Sequence, residues 1–346
     1  MGLRWWGPLA LWGGVFGIGV LLVPLADALP FLTRANLVVL ALHAIAAMGL
    51  TLVMGFAGQV SLGHAAFYGV GAYTTALLTS KAEWHPLLAM AAGAVMAAVL
   101  AALLGRIVFR LRGHFLAMAT LAFGLVFYVV VRSWDSLTGG NQGTGGIPDL
   151  ALGRLRFDTD TSMYLLAWGV LVAGLIAARN LLASRPGRAL VAMGASEVAA
   201  ASTGIDVART KMVVFALGAV YASLAGSLYA HYVKYVSPES FGLLPSLRFL
   251  VISTVGGIES VWGAPLGSAV VVLLTEGMRE LIPKFVSGAT GSYEILAYGV
   301  ALVLVLLFLP RGLAGGIAAL TQRGAEWLGA RQRRAPVPTL EEVELR

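Results

Sequence analysis

The sequence predicts an all-α, polytopic transmembrane helix bundle of about ten spans (8–10), and three observations carry that prediction. The 346 residues are 58% hydrophobic and only 12% charged, with a mean hydropathy of +0.84, which lies outside the usual range of soluble globular domains. Runs free of Asp, Glu, Lys and Arg extend over Trp5 to Ala26, Ala35 to Ser80, Trp84 to Gly105, Gly113 to Val131, Thr161 to Ala178 and Met212 to Val233. These runs are rich in Ala and Leu and lack the apolar/polar alternation of a membrane barrel.

A helical crossing needs about 20 mostly apolar residues, so the 46-residue stretch from Ala35 to Ser80 holds two. Taken in order, the expected spans are Leu9–Leu29, Leu37–Met54, His64–Leu78, Leu87–Leu104, Phe115–Val131, Met163–Ala178, Met212–Ala230, Leu247–Gly257, Gly263–Leu281 and Glu294–Leu309. In the last third, Arg248, Glu259, Glu276, Arg279 and Glu294 interrupt the apolar stretches from which the last three spans are read. Arg4, an apolar run and Ala26-Asp27-Ala28 imitate a secretory signal, but the run is long for a signal core. An uncleaved first span is expected there. Gly13 and Gly17 form a small-xxx-small pair suited to close helix contact, and Trp5, Trp6 and Trp12 are expected as interfacial anchors.

Net charge is +7, yet its placement argues for a membrane rather than nucleic acid. Fifteen of the 24 basic residues fall on one expected side, concentrated in Arg106–Arg112, Arg179–Lys211 and the C-terminal tail. Even numbers of spans separate these segments, so all three, and both termini, are placed in the cytoplasm by the positive-inside pattern. The tail, RQRRAPVPTLEEVELR, reads as a solvated end. No cysteine is present, which excludes disulfides and thiolate metal sites.

Four segments carry chemistry. GFAGQVSLGHAAFYGVGAY, from Gly55 to Tyr73, places Gln59, Ser61, His64 and Tyr68 at a Gly-rich helix junction. Broken helices at membrane depth survive only inside protein or beside water and can aim backbone groups at a solute, so these four are candidates for a translocation pathway; tight structural packing is the competing reading. GIESVWGAPLG, from Gly257, weakly echoes Gly58–Gly69, which raises an internal duplication. The outward loop 132–162 contains Gly139, Gly140, Asn141 and Gly143, an external gate or docking surface or else a flexible connector. It is no phosphate cradle, because no lysine follows a glycine in this chain. Residues 184–211 predict a cytoplasmic helix started at Pro186, continued through Ala201 and stopped by Gly204, suited to the membrane surface or a groove on a partner. No Ser/His/Asp set, carboxylate pair or His cluster suggests an enzyme or a metal site.

The residues GFAGQVSLGHAAFYGVGAY, TGGNQGTGGIP, RPGRALVAMGASEVAAASTGID and GGIESVWGAPLGS, in that order, resemble the LivM-type permeases of branched-chain amino acid ABC importers over about residues 35 to 310. The resemblance implies a permease domain over 1–312, a cytoplasmic tail over 313–346 and a multi-pass protein of the cell inner membrane. It implies a second related permease subunit, two cytoplasmic ATPase subunits and an external amino-acid-binding protein, with ATP and Mg on the ATPases and no cofactor in this chain. It also places the coupling element at Arg188, Glu197, Ala200 and Gly204, although Gly204 follows Glu197 by seven residues where the related Glu-Ala-Ala loop uses six. The alternatives are a permease for urea or short amides in the same family, and a proton-coupled carrier using Glu259 or Glu276.

Overall fold

The structure is a computed structural model that describes residues 6–28, 32–109, 114–153, 155–285, 299–300, 303, 307 and 312–316. The expected span Glu294–Leu309 and the tail lie almost wholly outside these residues. In chain order the helices are α1 (Trp6–Ala28), α2 (Arg34–Thr51), α3 (His64–Ser80), α4 (Pro86–Val108), α5 (His114–Ser133), the single turn α6 (Asp135–Thr138), α7 (Asp160–Ala183), α8 (Arg185–Ala195), α9 (Glu197–Ser202), α10 (Val207–Val233), α11 (Leu243–Gly256) and α12 (Gly263–Phe285). A π-helical turn, Leu52–Phe56, prolongs α2, so that Arg34–Phe56 is one 23-residue candidate crossing.

Helix α10 is the centre of the bundle and packs on α3, α4 and α2; α2 in turn touches α7, α11 and α12. Small residues make these approaches possible. A Cβ at Gly71 would meet the Ser223 carbonyl, and one at Gly226 the Tyr68 carbonyl, so α3 and α10 cross backbone on backbone. Hydroxyls tie the same crossings: Thr75 donates to Ser227 at 2.8 Å, Ser268 to the Leu40 carbonyl at 2.8 Å, and Ser253 to the Ala47 carbonyl at 3.1 Å. In lipid such bonds and close packing hold helices together, since burying apolar surface gains little there. Helices α4 and α5 keep most of their apolar surface open.

Two expectations need correction. Gly13 and Gly17 have no neighbour where a Cβ would stand; in α1 it is Gly19 that meets the Trp168 ring. Trp12 is stacked on Trp262 at 5.5 Å with Arg179 over its face. The eighth span begins at Leu243, four residues before its expected start, because the short 3-10 turn Pro238–Phe241 delivers the chain directly into it.

Candidate functional site

Between Phe56 and His64 the chain leaves helical geometry. Gly58 takes φ 64°, a left-handed conformation that suits glycine, and the Gln59 amide bonds back to the Val53 carbonyl at 3.0 Å. The segment then runs without regular structure until α3 begins at His64, whose Nε2 donates to the Ala46 carbonyl at 3.1 Å. Ala46 lies ten residues before Phe56 on α2, so α3 starts about 15 Å along that crossing from its end. Non-helical backbone therefore occupies membrane depth and needs protein or water around it. Part of that need is met: Thr120 Oγ1 accepts from the Leu62 amide and Ser246 Oγ from the Ala65 amide, both at 3.0 Å.

The four sequence candidates fare differently. Gln59 and Ser61 are buried, and both Gln59 amide atoms and the Ser61 hydroxyl have no hydrogen-bond partner. Unpaired buried polar groups are costly, and of the four candidates Gln59 and Ser61 are the two that carry them. His64 is buried and paired as described, with Phe67 and Phe249 edge-on beside it. Tyr68 sits inside an aromatic cluster with Tyr229, Phe241 and Phe249 at 5.5–5.7 Å.

A second break separates α11 from α12 at residues 257–262, where Gly257 takes φ 109°. It abuts the first: a Cβ on Gly55 would collide with the Ile258 carbonyl. The two Gly-rich motifs that echo each other in sequence thus meet in space. Glu259 is exposed at this second break. Sequence reasoning noted Arg248 only as an interruption of a span; it is exposed on α11, next to Phe249 and within electrostatic reach of His43, and its signal was a lone cation in the otherwise uncharged run Phe241–Gly257.

On one face of the bundle the loop after α5 is folded rather than a loose connector. Thr144–Gly145 (β1) pairs antiparallel with Tyr235–Val236 (β4), and Leu150–Leu152 (β2) with Leu155–Phe157 (β3). Gly139 and Gly143 take φ near 75°, and a Cβ on Gly143 would strike the Val236 carbonyl. Asn141 is exposed and Gly140 buried. Anchors are numerous: Lys234 pairs with Asp149 at 2.7 Å, Lys81 Nζ donates to the Leu137 carbonyl at 2.8 Å, His231 Nδ1 to Pro148 O at 2.9 Å, and the Tyr235 hydroxyl to the Gln142 carbonyl.

On the opposite face, residues 184–211 form two helices where one was expected. The Ser196 side chain accepts from the Ala199 amide and its backbone is extended, so it ends α8 and caps α9. Leu190, Met193 and Ala200 are buried against the bundle, while Arg188, Glu197 and Gly204 are exposed, with Val198 82% exposed. Glu197 pairs with Lys211 at 2.5 Å. Gly194 presses on the π-turn, a Cβ there standing 2.8 Å from the Phe56 carbonyl. The exposed α8–α9 element therefore touches the break in α2 directly. A separate cavity of about 490 Å³, lined by Val15, Leu22, Trp168, Trp262 and Leu266 among others, is almost wholly apolar and does not suit a zwitterion. Among the described residues no His, Cys, Asp or Glu cluster could hold a metal.

Several long apolar helices, paired breaks at membrane depth and a projecting helical element on one face define a polytopic membrane protein with the parts of a transport subunit. The family described as branched-chain amino acid transport system / permease component matches residues 33–309, and the chain belongs to that family. It is 32% identical over 321 residues to the high-affinity branched-chain amino acid transport system permease protein LivM of Escherichia coli (strain K12), covering 85% of this chain and 73% of that one. It is 25% identical over 289 residues to LivH of the same organism, covering 79% and 91%, and 28% identical over 294 residues to BraD of Pseudomonas aeruginosa, covering 79% and 91%. It is thus a permease subunit of an ABC importer and not an enzyme; ATP hydrolysis lies on separate subunits.

Proposed function

We propose that this chain moves branched-chain or related small apolar amino acids across the cell inner membrane, paired with a second related permease and driven by two cytoplasmic ATPase subunits. An external amino-acid-binding protein delivers the solute to the folded loop 132–162, with Gly139, Gly140, Asn141 and Gly143 shaping the docking surface. Both termini and α8–α9 face the cytoplasm, residues 1–312 form the permease domain and 313–346 the tail.

The observation that carries the mechanism is the seat of α8 on the π-turn. Nucleotide-driven movement of the ATPases shifts α8–α9 through Arg188, Glu197 and Gly204, with buried Ala200 keeping α9 on the bundle. Gly194 passes that movement to Phe56, and π-turns are single-turn irregularities often found at functional sites. The segment carrying Gln59 and Ser61 then changes its partners, and the path opens to one side at a time. Support for the substrate comes from the names of the relatives.

The test is reconstitution of the chain with its second permease, ATPases and binding protein in liposomes loaded with ATP. Leucine accumulates only with ATP inside. Uptake of urea or a short amide in place of leucine would overturn the substrate assignment, and uptake under a pH gradient without ATP would favour the carrier reading.

A further inference from the structure

Arg248 is the sixth of the fourteen residues of α11 and is exposed. Its neighbours fix its depth. Phe249, next in sequence, lies edge-on to His43 at 5.7 Å and to His64 at 6.4 Å, while Ser246 holds the Ala65 amide and Ser253 the Ala47 carbonyl. His43 is about 14 Å along its helix from Arg34 and about 20 Å from Phe56. Arg248 is therefore placed near the middle of the crossing made by α2, within electrostatic reach of His43.

A guanidinium keeps its charge at any physiological pH, and a cation at mid-bilayer faces the bundle interior or a water-filled cavity and takes an anionic or carbonyl partner. Among the described residues none is supplied: the ion pairs there join Glu197 to Lys211 and Asp149 to Lys234, and neither includes Arg248. The His43 ring, edge-on to the adjacent Phe249, leaves a buried Nδ1 without a hydrogen-bond partner. One turn to either side on α11 stand Leu244 and Val251, apolar and not buried. The position combines an unpaired planar cation, a free imidazole nitrogen and flanking aliphatic surface beside the break that leads into α3.

We infer that Arg248 receives the carboxylate of the amino acid in transit, with Leu244 and Val251 receiving its side chain. The inference rests on the importer reading above and names the residue that selects an α-amino acid over urea or a neutral amide. A guanidinium meets a carboxylate with two parallel, charge-assisted hydrogen bonds. A neutral amide offers no matching charge.

The chain has no cysteine, so Arg248→Cys introduces one thiol into it. In the complete importer, reconstituted in ATP-loaded liposomes, leucine uptake by this variant falls at least about tenfold. Charged, water-soluble methanethiosulfonates label the thiol and leucine slows the labelling. The trimethylammonium reagent, which restores a positive charge, recovers uptake, and the sulfonate reagent does not. Arg248→Lys retains more uptake than Arg248→Gln, which keeps the comparison decisive where the cysteine variant assembles poorly. Full uptake by Arg248→Gln, a thiol closed to both reagents, or equal recovery by both would overturn the assignment. So would separation of the two permease subunits with normal uptake by the assembled fraction, the outcome if Arg248 pairs with a carboxylate of the second permease. Failure of the unaltered importer to take up leucine would sink the importer reading itself; transport with indifferent Arg248 variants would sink this inference alone.

Discussion

Glu197→Gln removes the anion from the contact that fastens α9 to α10 and leaves Lys211 in place. Lys211 has an 11% exposed side chain and Glu197 a 49% exposed one, with 2.5 Å between them. Exposed pairs contribute about 0–1 kcal/mol, whereas removing one partner of a buried pair costs about 3–5 kcal/mol because a charge is left without compensation. A half-exposed pair falls between these limits, at about 2 kcal/mol. If α9 opens locally rather than with the whole bundle, that figure raises its opening equilibrium about thirtyfold. The assay is hydrogen exchange by mass spectrometry on the peptide containing the Ala200, Thr203 and Gly204 amides, which bond to Ser196, Ala200 and Ala201. Exchange there quickens about thirtyfold while peptides from α3 and the centre of α10 keep their rates. Adding Lys211→Met recovers at least half of the loss, since an apolar side chain has no charge to strand. Unchanged exchange in Glu197→Gln, or a double variant worse than the single one, would refute the reasoning.

Two further perturbations probe the bundle and the break. Gly71→Leu drives a side chain into the Ser223 carbonyl and costs about 3 kcal/mol by overpacking; the detergent-solubilised importer unfolds at lower temperature, and Gly13→Ala, which meets nothing, does not alter it. Ser246→Ala strands the Ala65 amide at membrane depth and costs about 1–3 kcal/mol, read as a lower thermal midpoint and slower leucine uptake. An unchanged midpoint would show that another group takes that amide.

Much of this architecture was legible from hydropathy, because a bilayer crossing imposes length and composition on every helix that makes it. The runs Leu87–Leu104 and Met163–Ala178 foretold α4 and α7 within a few residues. The break at Gly58 was legible as well, since Gly and polar residues crowd a stretch without charge. What pattern could not supply was contact. Gly13 and Gly17 satisfy a packing motif, yet Gly71 and Gly226 make the close crossing, because only the three-dimensional path of α10 decides which small residues face a neighbour. The division of 184–211 at Ser196 turns on one side chain competing for the Ala199 amide, a local choice that Ala-rich helix propensity masks. Arg248 was noted only as an interruption of a span. Its meaning depends on depth, which follows from Phe249 lying against His43 and His64.

Val198, 82% exposed at the tip of α9, gives direct access to the claim that separate polypeptides grip this element from inside the cell. With Val198→Cys in an otherwise cysteine-free chain, the predicted result is a disulfide cross-link to an ATPase subunit carrying a cysteine in its facing groove, and labelling by membrane-impermeant maleimide only after the cytoplasmic face is opened. Labelling of residue 198 in intact cells, with no cross-link to the ATPase, would contradict the account.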